Sequence, residues 1–128
     1  MATTPRAIVE RFLDDVMSGG RPESAPDLVT SEPLLDRVRV LRSAFPDLRV
    51  QVVRIVVDGE LVAVHLAGGG THRGTFQGSR ATGRRWAAAG TAIYRVRGGR
   101  IADFWVTWDT LAILEQLGLV LRSVEVSA

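Results

Sequence analysis

Asp103, Trp105, Thr107 and Asp109 stand at alternate positions in one β-branched and aromatic stretch of the chain. A strand there turns all four to one side. Carboxylates, a hydroxyl and an indole on a shared face could hold a small molecule and move a proton on it. The composition narrows the chemistry further. The chain of 128 residues has no Cys, and all 16 of its basic residues are Arg. Thiolate nucleophiles, thiolate metal sites and disulfides are excluded, as are a lysine Schiff base and a lysine phosphate loop. Acid/base work falls to Asp, Glu, His65, His72 and the single Tyr94.

A hairpin must position these residues. Gly98-Gly99 is a two-residue turn signal between β-branched and aromatic runs at residues 86–97 and 100–108. Taken as the turn, it sets Tyr94 opposite Asp103, Ala92 opposite Trp105, Gly90 opposite Thr107 and Ala88 opposite Asp109. The partners of the polar face are then mostly small and leave volume for a ligand. The opposite face carries Phe104, Val106 and Trp108 and reads as apolar. Burial against another sheet or a second subunit would suit it, so a homodimer is expected.

Other elements precede this hairpin. Ala7, Ile8, Phe12, Leu13, Val16 and Met17 recur at helical spacing. Thr3 or Thr4 supplies a cap, Pro5 fits the first helical position, and Gly19-Gly20 ends the helix. Residues 21–32 read as a loop with one helical turn near Ala25. Pro33 opens a second helix with the stripe Leu34, Val38, Leu41 and Phe45, stopped by Pro46. Residues 49–57 and 60–66 alternate as strands across a turn at Asp58-Gly59, which sets His65 opposite Val52. Glycines 68, 69, 70, 74 and 78 break up the stretch that follows. A last helix spans residues 110–117, capped by Asp109 and closed by Gly118; residues 119–128 read as an extra strand or loose end. Helices first and hairpin-linked strands afterwards argue an α+β fold, with residues 1–128 as one domain. The two N-terminal helices would cover one face of a curved antiparallel sheet.

The sequence pI is about 10.3, yet the formal net charge is only +2. A small excess of Arg over acids explains this, and the Arg residues are dispersed, so no nucleic-acid face is read. There is no apolar run long enough for a membrane and no signal peptide at the start, so a cytoplasmic protein is expected.

Six segments together carry a family resemblance: Ala44-Phe45-Pro46-Asp47-Leu48, the stretch from Gly70 through His72 and Phe76 to Gly78, Ala81-Thr82-Gly83-Arg84, Tyr94 to Ile101, Trp105-Val106-Thr107-Trp108-Asp109, and Leu111 to Gly118. In order and spacing this resembles the SnoaL-like polyketide cyclase (ester cyclase) family. The resemblance implies a ketosteroid-isomerase-like, or cystatin-like, cone with helices on the concave face of the sheet. It implies intramolecular aldol-type ring closure on an enolisable, hydrophobic or aromatic polyketide-like molecule, as in antibiotic biosynthesis, without metal or organic cofactor. It also implies an acid/base Asp at the end of the last long strand, where Asp109 stands. An isomerase, a ring-opening hydrolase or a non-catalytic small-molecule binder could use the same pocket.

Each site residue has a plainer reading beside this one. Asp109 caps the last helix or removes a proton next to a carbonyl. His72 is structural or a second catalytic group. Tyr94 donates to a developing enolate, as in ketosteroid isomerase, or bonds Asp103. Trp105, Trp86, Phe12 and Phe76 stack on a flat substrate or fill the core, and Thr107 adds a hydroxyl. His65 reads as structural, and two His on different elements make no metal site.

Overall fold

The computed structural model describes residues 3–120, so the expected extra strand or loose end lies, from residue 121 onward, outside the described residues. Helix α1 (Pro5–Arg11) starts where Thr4 Oγ1 accepts the Ala7 N–H at 3.1 Å, with Pro5 in the first turn. It runs on through wider π turns at Phe12–Met17 and ends at Gly19, whose φ is +76°. The π turns were not foreseen; they gather Phe12, Leu13, Val16 and Met17 on one buried arc. After a 3₁₀ turn at Pro22–Ser24 comes α2 (Ala25–Leu28), the single turn read from the sequence. Helix α3 (Glu32–Ala44) is capped by Ser31, which accepts from Leu34 N at 3.3 Å.

Four antiparallel strands follow in sequential order: β1 (Arg49–Asp58), β2 (Leu61–Thr71), β3 (Arg85–Arg97) and β4 (Arg100–Trp108). Helix α4 (Thr110–Gln116) closes the described chain. The sheet is curved and unclosed. Its inward residues, Val62, Val64, Leu66, Ala92, Tyr94 and Val96 among them, form one core with the buried sides of α1 and α3. Each large apolar side chain so buried contributes roughly 1.5–3 kcal/mol. The architecture is the α+β cone that the sequence implied.

Three registers differ from expectation. The first turn is Gly59-Glu60, with Asp58 opposite Leu61, instead of Asp58-Gly59. Gly59 takes its positive φ (+59°) as the first turn residue instead of the second. That turn sets His65 opposite Arg54, not Val52, and a bulge beyond this pair then brings Val52 opposite Leu66. The third shift matters most. The Gly98-Gly99 turn and the pairs Arg97–Arg100 and Val96–Ile101 are as expected, but Arg95 then pairs with Asp103, leaving Ala102 as an extra residue. Beyond that bulge Tyr94 faces Phe104, Ile93 faces Trp105 and Gly90 faces Trp108. One residue of slip exchanges the two faces of the strand. The bulge lies where the chain after α2 reaches the sheet edge: Val29 bridges Ile101, whose carbonyl accepts the Thr30 N–H at 2.9 Å.

Side chains tie the wide end of the cone. Arg42 on α3 donates to the Met17 carbonyl at 3.1 Å and the Leu48 carbonyl at 3.0 Å. It thus binds the end of the first helix to the turn after α3. In that turn Asp47 accepts from both the Thr71 hydroxyl and the Thr71 N–H at 2.7 Å. These bonds, the hydroxyl's first, hold the Asp47 carboxyl below its usual range. A lowered folded-state pKa gives stability that is complete above the unfolded value of about 4 and fades as pH falls through the folded value. Asp47 is exposed, so Asp47→Asn is expected to cost only about 1 kcal/mol at neutral pH. Urea unfolding should show this difference shrinking toward about pH 3; an equal difference at both pH values would contradict it.

Candidate functional site

A cavity of about 340 Å³ opens at the wide end of the cone, between α3, the inner face of the sheet and α4. The sequence explains its floor. Gly68 on β2 and Gly90 on β3 both face inward, and the Trp108 indole lies across them. A Cβ on either glycine would come within 2.6 Å of that ring. Two absent side chains thus let one large ring lie flat on the sheet. Trp86 meets Trp108 edge-on with ring centroids 6.0 Å apart. Phe45, the residue that ends α3, packs on Trp86 at 5.2 Å and on Phe76 at 5.0 Å. Leu41, Leu48 and Ile113 complete an apolar wall.

The polar groups on this wall are few. Among the described residues Arg37 is its only charged residue, joined by Gln77 and Thr110. Arg37, Leu41 and Trp108 also border a narrow inner recess of about 10 Å³, roughly the space of one water, and Tyr94 lies there. Burial pushes the Tyr94 hydroxyl well above its ordinary pKa, and the nearby positive Arg37 opposes part of that rise. Tyr94 therefore stays a neutral donor at physiological pH.

Of the predicted site residues, Trp86 and Phe76 line the cavity and Tyr94 lines its recess. Phe12 lies behind Tyr94, edge-on at 5.6 Å. His72 is wholly buried behind Phe45 and Phe76, with ring centroids 5.9 and 6.4 Å away. The Thr82 N–H donates to His72 Nδ1 at 3.2 Å, and the Thr82 hydroxyl lies 3.0 Å from the same nitrogen. That acceptor role leaves the proton on Nε2, which is buried without a partner. His72 thereby pins the segment over residues 72–84 that carries Phe76.

Trp105, Thr107 and Asp109 are corrections. The bulge turns Trp105 and Thr107 to the outer face of the sheet, where both are exposed. Asp109 borders a shallow outer hollow with His65, Thr91 and Thr107 instead of the cone. Its carboxylate accepts the Ala112 N–H at 3.1 Å as the cap of α4. Tyr94 faces Phe104, so it does not bond Asp103, which pairs with Arg95 at 3.4 Å. Phe104, Val106 and Trp108, expected on the outer apolar face, point inward by the same shift.

The residues that sequence reasoning missed are Arg37 and Trp108. Arg37 flanks the apolar stripe of α3, and nothing local marks it as facing a cavity. The sign for Trp108 was present: two inward glycines on adjacent strands leave room for one large ring. Among the described residues, no group of three or more His, Asp or Glu is placed to hold a metal.

The sequence pattern of the SnoaL-like polyketide cyclase family matches residues 5–117. No curated protein sequence matches the chain. Among solved structures, TsrD from Streptomyces laurentii is similar with a TM-score of 0.79 at 23% identity, over 90% of this chain and 95% of that one. IdmH from Streptomyces antibioticus is similar with a TM-score of 0.77 at 26% identity, over 91% and 99%. A SnoaL-like polyketide cyclase from Agrobacterium tumefaciens is similar with a TM-score of 0.76 at 22% identity, over 91% and 100%.

The glycine floor generates a test. Gly90→Ala is expected to force Trp108 off the sheet and cost about 1–3 kcal/mol. The near-UV circular dichroism of the tryptophans should change with it. An unchanged spectrum and unchanged stability would mean that the ring does not rest on Gly90.

Proposed function

The chain belongs to the SnoaL-like polyketide cyclase family, and from that premise we propose that it closes a ring on a hydrophobic, enolisable small molecule held in the cone. The observation that carries this reading is the cavity wall: it is lined by Phe45, Phe76, Trp86 and Trp108, with Arg37 as its single charge among the described residues. Trp108, Trp86 and Phe45 suit a flat polyketide-like substrate and hold it folded. Folding brings the activated methylene beside its acceptor carbonyl, and such proximity supplies much of the rate.

Charge develops when that methylene loses its proton and the electron pair moves onto the carbonyl oxygen. Arg37, an exposed residue at the cavity's edge, stabilises the resulting enolate as the charge nearest to it on this wall. The enolate carbon bonds to the acceptor carbonyl carbon, and the alkoxide formed there takes up a proton. The lost proton passes to water at the open mouth. Neither step needs a cofactor.

Asp109, the acid/base group implied by the resemblance, has a different part here: it caps α4 and keeps Thr110 and Ile113 against the cavity. The two assignments separate experimentally. The probe is a fused aromatic β-keto ester, and the readout is enzyme-dependent exchange of its methylene protons in deuterium oxide. Arg37→Gln should slow exchange roughly 100-fold while leaving binding measurable. Asp109→Asn should retain exchange and leave stability nearly unchanged, because Asn caps a helix about as well as Asp. Loss of exchange in Asp109→Asn alone would return the acid/base role to Asp109. Binding without exchange by the unmodified protein would instead make it a small-molecule carrier.

A further inference from the structure

The inner face of the sheet buries one phenol that the packing leaves unpaired. Tyr94 stands on β3 between Val62 and Phe104, with 2% of its surface exposed. Phe12 meets its ring edge-on at 5.6 Å and fixes the ring plane. Among the described residues its hydroxyl has no hydrogen-bond partner; burial and the charge of Arg37 are what act on it. Buried phenols normally find a partner, because an unpaired hydroxyl costs stability. The oxygen is nevertheless not sealed in. The polar side-chain atoms that are both enclosed and unpaired among the described residues are His72 Nε2 and Trp86 Nε1, and the Tyr94 oxygen is not one of them. It therefore opens on the recess of about 10 Å³ that Tyr94 lines. That recess has room for a single oxygen atom. Beside Tyr94 and Arg37 its lining is hydrophobic. Arg37, Leu41 and Trp108 border both the recess and the cavity, so they form the neck between the two.

We propose that the recess seats the oxygen of the acceptor carbonyl and that Tyr94 is the acid that protonates it. This role rests on the ring closure proposed above and supplies the proton which that reaction consumes. A carbonyl oxygen is one atom on a flat carbon, so it enters the neck while its carbon and both substituents stay in the cavity. The enolate, held by Arg37 on the cavity side, attacks that carbon. The new carbon–carbon bond forms, and the C=O electron pair moves onto the seated oxygen. The Tyr94 O–H proton passes to that oxygen and leaves a neutral alcohol and a phenolate. An alkoxide is a stronger base than a phenolate, so the transfer runs downhill even for a phenol made less acidic by burial. Water at the mouth returns to the phenolate the proton that the methylene lost, and the nearby positive Arg37 stabilises the phenolate until it arrives. Tyr94 thus serves the acceptor and Arg37 the enolate. A ketone or aldehyde oxygen fits the recess; the same carbon masked as an oxime ether does not.

The test uses a fused aromatic β-keto ester carrying a ketone side chain that can reach its methylene. Deuterium exchange at the methylene reads the enolate step, and the cyclised alcohol reads closure. Tyr94→Phe keeps the ring and removes the hydroxyl. It should slow closure at least about 100-fold and leave exchange within about threefold of the unmodified chain. Its melting temperature should be equal or higher, since an unpaired buried hydroxyl is removed. Val106→Ile adds a methyl group at the recess with Tyr94 in place, and should lower closure while exchange is kept. Closure by Tyr94→Phe at the unmodified rate would overturn the proposal and leave the role of Arg37 standing. Equal loss of exchange and closure would move the hydroxyl to the enolate and overturn its assignment to the acceptor. A markedly lower melting temperature would make the hydroxyl structural and overturn it too. Exchange without closure by the unmodified protein would overturn the ring-closing reading itself, and the role of Tyr94 with it.

Discussion

The structure depends on one extra residue in β4. The Gly98-Gly99 turn fixes the tip of the last hairpin, and its strict continuation would turn Asp103, Trp105 and Thr107 into the cone. Helices α1 and α3 cover that face, so Asp103 would be buried without its partner Arg95, which points outward. An unpaired buried carboxylate costs several kcal/mol, while Phe104, Val106 and Trp108 would lose their own burial. Local turn chemistry and global burial thus disagree by one position. The bulge at Ala102 reconciles them. It is stitched to the sheet edge where the Ile101 carbonyl accepts Thr30. Everything functional about β4 follows from that residue: which tryptophan floors the cavity and which stands on the outer face.

Volume inside the cone is made by subtraction. Trp108 lies flat because Gly68 and Gly90 present no side chain, and the aromatic cluster around Phe45 walls the opening instead of filling it. Close packing normally removes such space. Here the wide end is held open by polar ties at its rim. Arg42 joins the first helix to the turn after α3, Asp47 joins that turn to the end of β2, and Gln116 bonds both backbone groups of Ala87 on β3 at 2.8 and 2.9 Å. The rim is therefore polar and specific while the wall is apolar, an arrangement that keeps an apolar cavity from collapsing.

Much of this was legible in the sequence. Thr4-Pro5 marked the start of the first helix, Pro46 its successor's end, and Gly98-Gly99 the hairpin, because each acts through local backbone chemistry. The cone was legible in the order of the elements and in the family pattern. The facing of β4 was not. A bulge at an ordinary alanine leaves no local mark, and a strand with aromatic residues on both faces reads equally well either way. The error then spread to every residue placed by that register, Asp109, Trp105 and Thr107 together. Phe76, Trp86 and Tyr94 escaped it: Trp86 and Tyr94 lie on β3, whose alternation the bulge leaves intact, and Phe76 lies in the loop before it.

Trp105 and Trp108 are three residues apart, and alternation sends them to opposite faces. The inner ring meets an apolar cavity with one cation. The outer ring meets solvent among balanced charges, with Arg95 against it. A single strand thus serves two surfaces, and the sheet between them is a few ångströms of hydrogen-bonded backbone. The outer rows run in register through His65 and Thr91 to the strands that carry Gly68 and Gly90. A change of twist on the outer face therefore acts directly on the glycine floor beneath Trp108.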